Sequence, residues 1–294
     1  MPVIFRTTGS VSGPSFALRP HTPLRDAFRP IRMPVTCAIV ERPDGLLLID
    51  AGWSRAQCAF PYDEPGWFTQ LVLGLDVHPE DALASQLISL GYDPNDVRHI
   101  VATHLHTDHI GGAADFPAAI VHTTPDEWRS MARGPLDGYP SDPAAIADRL
   151  RVHSLIEQPR LGFERSHDLF GDGSVLLLDA SGHTAGSIAV AVKLDNGWLV
   201  HAGDACMFAV QLEPQRENDL SLYARVQTRD RARHHATTVA LQRASTEHQA
   251  RIVPSHDPDV FARLPTTRDD AWRTAWDVAS KPVKKKQAPA SVVR

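Results

Sequence analysis

Apolar positions fall into two periods along the chain. Residues 35–40 and 46–49 are apolar runs of strand length, joined by Glu41-Arg42-Pro43-Asp44-Gly45, whose Pro, Asp and Gly stand in the order a tight turn favours, so the pair predicts a hairpin. Residues 98–103 are partly β-branched and predict another strand. Residues 175–178, 188–194 and 198–200 predict three more, the last two turning at Asp195-Asn196-Gly197. Helical spacing is different. Over residues 79–90, Leu83, Leu87 and Leu90 share one face, with Pro79 at the first position and Gly91 just past the end. Residues 231–248 and 269–279 are further helices, with a short strand at 251–254 between them. Strands in hairpins with helices outside predict an α/β fold in four layers, helix, sheet, sheet, helix (αββα), with a site at the sheet edge.

Composition narrows the partners. The chain has 294 residues, 43% apolar and 22% charged, which suits one domain over residues 1–280 followed by a basic, proline-containing tail at 281–294 without fixed structure. Thirty-five acidic against 30 basic side chains give a net charge of −5, and the only basic run lies at 281–286, so nucleic acid is not an expected partner. The three cysteines, Cys37, Cys58 and Cys206, form no C-x-x-C pair and no disulfide framework, which fits a reducing cytoplasm. No apolar run is long enough for a membrane span or a leader, and no membrane partner is expected.

The chemistry is concentrated in residues 104–109, His-Leu-His-Thr-Asp-His, followed by Ile110-Gly111-Gly112. One tight turn after a strand thus carries His104, His106, Asp108 and His109, with side chains pointing two ways, so one loop can grip two metal ions. Three further candidates also follow strands: His183 in Ser-Gly-His-Thr-Ala-Gly-Ser, Asp204 in Gly-Asp-Ala, and His256 in Pro-Ser-His-Asp. Five histidines and two carboxylates suit zinc, manganese or iron rather than calcium. Residues 54–77 hold Phe60, Tyr62, Trp67 and Phe68 among prolines; they read either as an apolar lid, in which Trp67 and Phe68 line a substrate pocket, or as aromatics packed on a sheet. Residues 133–143 form a second Gly/Pro-rich insertion of unread role.

Taken in order, H-L-H-T-D-H-I-G-G, S-G-H-T-A-G-S, G-D-A and P-S-H-D resemble the motifs of the metallo-β-lactamase fold superfamily, and Leu48-Ile49-Asp50-Ala51-Gly52 resembles its first motif. Met33 to Cys37 and the run Gly91 to Val97 look most like the N-acyl-homoserine lactone lactonases within it. The resemblance implies that His104, His106 and His183 hold one metal ion, zinc being expected, that Asp108, His109 and His256 hold the other, that Asp204 bridges them, and that Asp50 orients a ligand from behind. It further implies a hydrolase in which a metal-bridging hydroxide opens a lactone or cleaves a related carboxylic ester, with Asp108 and Asp204 catalytic and quorum quenching as the biological setting. One departure stands out. Those lactonases carry a tyrosine three residues after the bridging aspartate, aimed at the substrate carbonyl; here that position is Met207, so it offers a pocket wall and no oxyanion donor. Organophosphate, aryl ester or sulfate ester hydrolysis is the alternative within the same fold, ahead of iron-dependent redox chemistry or thioester hydrolysis. The expected partner is a small-molecule ester or lactone, and a homodimer is left open.

Overall fold

The computed structural model describes residues 1–60, 74–216 and 219–267, and its strands fall into two sheets. The first holds β1 (Val3–Pro14), β2 (Pro30–Arg42), β3 (Gly45–Ile49), β4 (Leu75–Asp76), β5 (Val97–Val101), β6 (Ile120–Thr123) and β7 (Leu150–Val152), in the spatial order β4-β1-β2-β3-β5-β6-β7. The second holds β8 (Ile156–Arg160), β9 (Phe163–Asp168), β10 (Val175–Asp179), β11 (Ile188–Leu194), β12 (Gly197–His201) and β13 (Arg251–Val253), in the order β13-β12-β11-β10-β9-β8. The predicted hairpin is β2–β3, closing at Arg42 opposite Gly45.

Strict alternation explains the layering. In β3, Leu46 and Leu48 pack toward the helices of the first sheet, while Leu47 and Ile49 pack between the sheets. In β10, Val175 and Leu177 point between the sheets, and Leu176 and Leu178 turn to the far side, where Leu241 and Ala244 of the helix Arg231–Glu247 cover them. A strand buried on both faces reads as a continuous apolar run, which is why these strands were legible. The outcome is the predicted α/β arrangement of four layers.

Some expected bounds change: the strand expected at 98–103 is Val97–Val101, the one expected at 35–40 extends over Pro30–Arg42, and the helix expected at 231–248 ends at Glu247. The helix expected over residues 79–90 is shorter, Leu83–Ser89, because Asp81 captures the backbone N–H of His78 at 2.9 Å and turns residues 78–81 before the helix begins. Gly91 ends it in a left-handed conformation, φ 81°, as its position predicted. The strand expected at 251–254 ends one residue earlier, at Val253. The helix expected at 269–279 and the tail at 281–294 lie outside the described residues.

The topology gathers the chemistry at one rim. From β3 onward the strands of the first sheet run parallel through β5, β6 and β7, so β3 and β5 end side by side. Their ends are locked: the amides of Ala51 and Gly52 donate to the His109 carbonyl at 2.7 and 3.2 Å, and Gly112 N–H returns to Gly52 O at 2.6 Å. Gly112 has no room for a side chain, since a Cβ there would lie 2.2 Å from the Ala51 carbonyl oxygen. Gly112→Ala must therefore push the two loops apart. The expected outcome is a loss of about 1–3 kcal/mol of unfolding free energy, read as a fall in urea midpoint; an unchanged midpoint would mean that the contact is not tight.

Candidate metal centre

Every motif residue arrives from the C-terminal end of a strand. Asp50 follows β3, the residues from Thr103 to His109 follow β5, His183 follows β10, Asp204 follows β12 and His256 follows β13. Ligand sites form in the crevice outside such strand ends. Three groups of donor atoms lie within 4.8 Å of one another: His104, His106 and His183; His104, His109 and Asp204; and Asp108, His109 and His256. All seven side chains singled out from the sequence come together, and six of them are buried. Asp108 is the exception, its carboxylate 24% exposed.

Asp204 faces both ways. Its Oδ2 lies 3.5 Å from His183 Nε2, and its Oδ1 lies 3.0 Å from His256 Nε2 and 3.3 Å from His109 Nε2. Ser255 Oγ donates to Oδ1 at 2.6 Å and fixes the carboxylate plane. The rings are aimed by their far nitrogens. His256 Nδ1 donates to the Pro34 carbonyl at 2.8 Å and His109 Nδ1 to Asp50 Oδ2 at 2.8 Å, leaving each Nε2 for the crevice. Asp50 is wholly buried and also accepts Thr103 N–H at 2.7 Å on Oδ1 and Thr103 Oγ1 at 2.9 Å on Oδ2. Holding it there takes a left-handed backbone, φ 58°, which is uncommon for a residue other than glycine.

Electrostatics divides the cluster. Burial, with His109 and the other rings adding to it, drives His104 well below the ordinary histidine range, and burial does the same to His183 and lowers His106 to about 4. These rings are neutral at pH 7, as metal ligation requires. Burial would lower His109 and His256 too, but the carboxylates of Asp108, Asp204 and Asp50 hold His109 well above its ordinary value, and Asp204 holds His256 above its own. His109 Nε2 is buried between Asp108 and Asp204 with no hydrogen-bond partner. A cation seated among those three groups would satisfy it, so the donors present fit a metal ion.

Other expectations land elsewhere. Met207 is 2% exposed and packs with Leu18, Met33, Phe208 and Ala224; Tyr223 lies against the same cluster. Cys206 donates its thiol to the Phe208 carbonyl at 3.3 Å, and burial pushes its pKa up, which makes it a packed residue. Trp67 and Phe68 lie outside the described residues. The insertion at 133–143 has a clear place: Thr107 N–H and Oγ1 donate to the Gly138 carbonyl at 2.8 and 3.0 Å, and the Tyr139 ring stands edge-on to His106 at 4.9 Å. A cleft of about 430 Å³ lined by Phe163, Arg165, Arg233 and Arg243 includes none of the clustered ligands. Sequence reasoning missed Glu127, whose carboxylate is fully buried behind the histidines.

This geometry belongs to a known class. The family model of the metallo-beta-lactamase superfamily matches residues 30–256, and the chain belongs to that superfamily and is a hydrolase of that class. A probable metallo-hydrolase of Mycobacterium tuberculosis is 36% identical over 236 residues, covering 76% of this chain and 74% of that protein. The N-acyl homoserine lactonase AttM of Rhizobium radiobacter is 26% identical over 240 residues, covering 79% and 85%. Among solved structures, an AiiA variant of B. thuringiensis with N-decanoyl-L-homoserine bound at its active site superposes with a TM-score of 0.71 at 17% identity, covering 91% of this chain and 97% of that one. The dizinc quorum-quenching lactonase AidC reaches 0.62 at 18% identity over 87% of each. These likenesses agree on the fold. No described helix is long and apolar enough to cross a membrane.

Asp50→Asn tests the aiming of His109. The amide keeps the size but puts a donor against Thr103 or the His109 ring, so metal binding by the cluster that contains His109 should weaken about 10–100-fold. Equilibrium dialysis in metal buffers measures this. Unchanged metal affinity would remove Asp50 from the site.

Proposed function

We propose that the protein is a dinuclear metal-dependent hydrolase that opens a lactone or cleaves a related carboxylic ester. The observation that carries the reading is Asp204: its two oxygens face two different donor sets, His183 on one side and His109 with His256 on the other. His104, His106 and His183 would hold one ion, Asp108, His109 and His256 the second, and Asp204 would bridge them. Zinc is the expected ion, since nitrogen-rich, tetrahedral-sized sets suit it. When bound, a pair of such ions lowers the pKa of water toward about 7 and polarises a carbonyl oxygen.

The chain's own residues then divide the remaining work. Asp108 is the one clustered carboxylate open to solvent, so it is placed to carry a proton from the attacking water to the departing alkoxide oxygen. Asp204, held by Ser255, keeps the two donor sets at a fixed separation. Met207 has no hydroxyl to donate to an oxyanion, and its side chain is packed in an apolar cluster with Met33 and Phe208.

Metal-replete protein assayed on lactones, aryl esters and phosphotriesters tests the proposal, with metal content measured on the same sample. The expected outcome is about two transition-metal ions per chain and lactone opening abolished by chelators. One ion per chain would overturn the dinuclear reading. Rapid phosphotriester cleavage without lactone opening would move the assignment to an organophosphate hydrolase of the same fold.

A further inference from the structure

Glu127 is a carboxylate with no exposure and no cationic partner among the described residues, on the helix Pro125–Ser130 that follows β6. Its two oxygens serve different loops. Oε1 accepts the backbone N–H of Leu105 at 2.9 Å, the residue between His104 and His106; Oε2 accepts Thr184 Oγ1 at 2.5 Å and Gly186 N–H at 3.2 Å, just after His183. The Tyr139 phenol, edge-on to His106, is a further hydrogen-bond partner. Gly186 reaches it only because a Cβ there would stand 2.2 Å from Glu127 N. A carboxylate accepts without donating, so one group can collect donors from both loops, and an amide in its place would turn a donor toward one of them.

We propose that Glu127 is a positioning residue, setting the separation of the His104–His106 loop from the His183 loop so that three neutral imidazoles converge on one ion. It rests on the reading of those rings as metal ligands. Cobalt(II) titration of metal-free protein tests it. Glu127→Gln should weaken the ion at His104, His106 and His183 about 10–100-fold and alter its visible absorption, leaving the second ion's affinity near that of the parent. Two ions bound with parent affinity and spectrum would overturn the proposal. Where Glu127→Gln does not fold, Thr184→Val cuts one of the bonds, and an affinity equal to the parent's overturns it equally. The parent's own titration reads the metal assignment separately, since failure of the unaltered protein to bind two cobalt ions would sink the proposed function and not merely the role of Glu127.

A second cluster lies between the sheets, away from this centre. His99 on β5, His122 on β6, His153 after β7 and His167 on β9 form a row, with Nδ1 of each facing Nε2 of the next at 3.0, 2.9 and 3.1 Å. At one end His99 Nε2 lies 3.7 Å from Asp44 Oδ2. The two interior rings, His122 and His153, each use opposite nitrogens for their two neighbours, and the planes differ by only 34–40°. No point therefore collects three lone pairs, and the particle shared between rings is a proton. If every ring carries it on Nε2, each N–H points at the next Nδ1 and the last points at Asp44. A proton added to His99, His122 or His153 turns its acceptor into a donor and breaks a link.

We infer that the row is an acid-sensitive tie between the sheets. Arg42 and Asp44 face His99, Arg151 faces His122, and Asp126, Arg129, Arg165 and Asp179 line a cleft with His153. Burial, with neighbouring rings, lowers His122 to about 3 and His153 to about 4. The unfolded chain, with histidines near 6.5, then binds more protons between pH 6.5 and about 3, so the contribution is full above about pH 6.5 and is lost as pH falls through that window. Urea unfolding of the metal-loaded protein across this range measures proton uptake. Replacing His122 and His153 together by Gln should lower uptake at pH 5 by about two protons. Equal uptake would overturn the inference. Should the double variant not fold, nitrogen-15 NMR of the parent decides: rings of His122 and His153 titrating near 6.5 in the folded state would overturn it.

Discussion

A single buried carboxylate, Asp50, sets the geometry on which the rest of the rim depends. It closes β3, it accepts both donors of Thr103 at the end of β5, and it accepts a hydrogen bond from His109 Nδ1. Remove it and two parallel strand ends lose their shared acceptor, while three donors are left buried without one. The left-handed backbone at this position costs about 1–2 kcal/mol, which is small beside the desolvation of three orphaned groups. The strain is thus held by the contacts that need it. Thr103 extends the same constraint across the molecule, since its carbonyl accepts Ile188 N–H at 2.8 Å and so fastens β11 of the second sheet to the rim of the first.

Having gathered these groups, the fold must bear their burial. Each ionised side chain taken out of water costs several kcal/mol unless opposite charge compensates it. Asp50, Asp204 and Glu127 are all buried, and the imidazoles near them divide: His109 and His256 are pushed toward the charged form by carboxylates, His104, His106 and His183 toward the neutral one by burial. Such a set is poorly satisfied by protons alone. It is better matched by cations among the carboxylates, which is the thermodynamic sense in which the sequence motif and the fold imply each other.

The motif was legible because metal chemistry restricts residue types at short spacing, and His104, His106, Asp108 and His109 occupy one turn. The strands around it were legible because burial on both faces makes them continuous apolar runs. The missed features are those whose signal is ambiguous in one dimension. β1 breaks its own register between Thr7 and Ser10 and carries Gly9 at φ 114°, so residues 3–14 show no unbroken period of two although they form a strand of twelve residues. Thr124-Pro125-Asp126-Glu127 has the form of a helix-capping box, and Thr124 does cap Glu127 N–H at 3.2 Å; the Glu127 side chain, however, turns inward to the loops that carry His104, His106 and His183. A capping pattern accounts for Glu127 locally, and only the tertiary fold gives its side chain the other role.

Histidine itself makes the same point more sharply. The rings of the candidate metal centre and those of the inter-sheet row have neighbouring nitrogens at similar distances, 3.1–3.2 Å in the first and 2.9–3.1 Å in the second. What separates them is direction. His104, His106 and His183 meet at interplanar angles of 77–84°, with lone pairs converging on a common point, whereas each interior ring of the row passes from one neighbour to the next through opposite nitrogens. Convergence concentrates electron pairs and suits a divalent cation; a head-to-tail row spaces them out and suits protons. Residues 99 and 104 lie five positions apart on and just after one strand, yet the first points between the sheets and the second follows the strand's end into the crevice. The pleat of β5 and the turn after it, not the chemistry of imidazole, decide which histidine does which work.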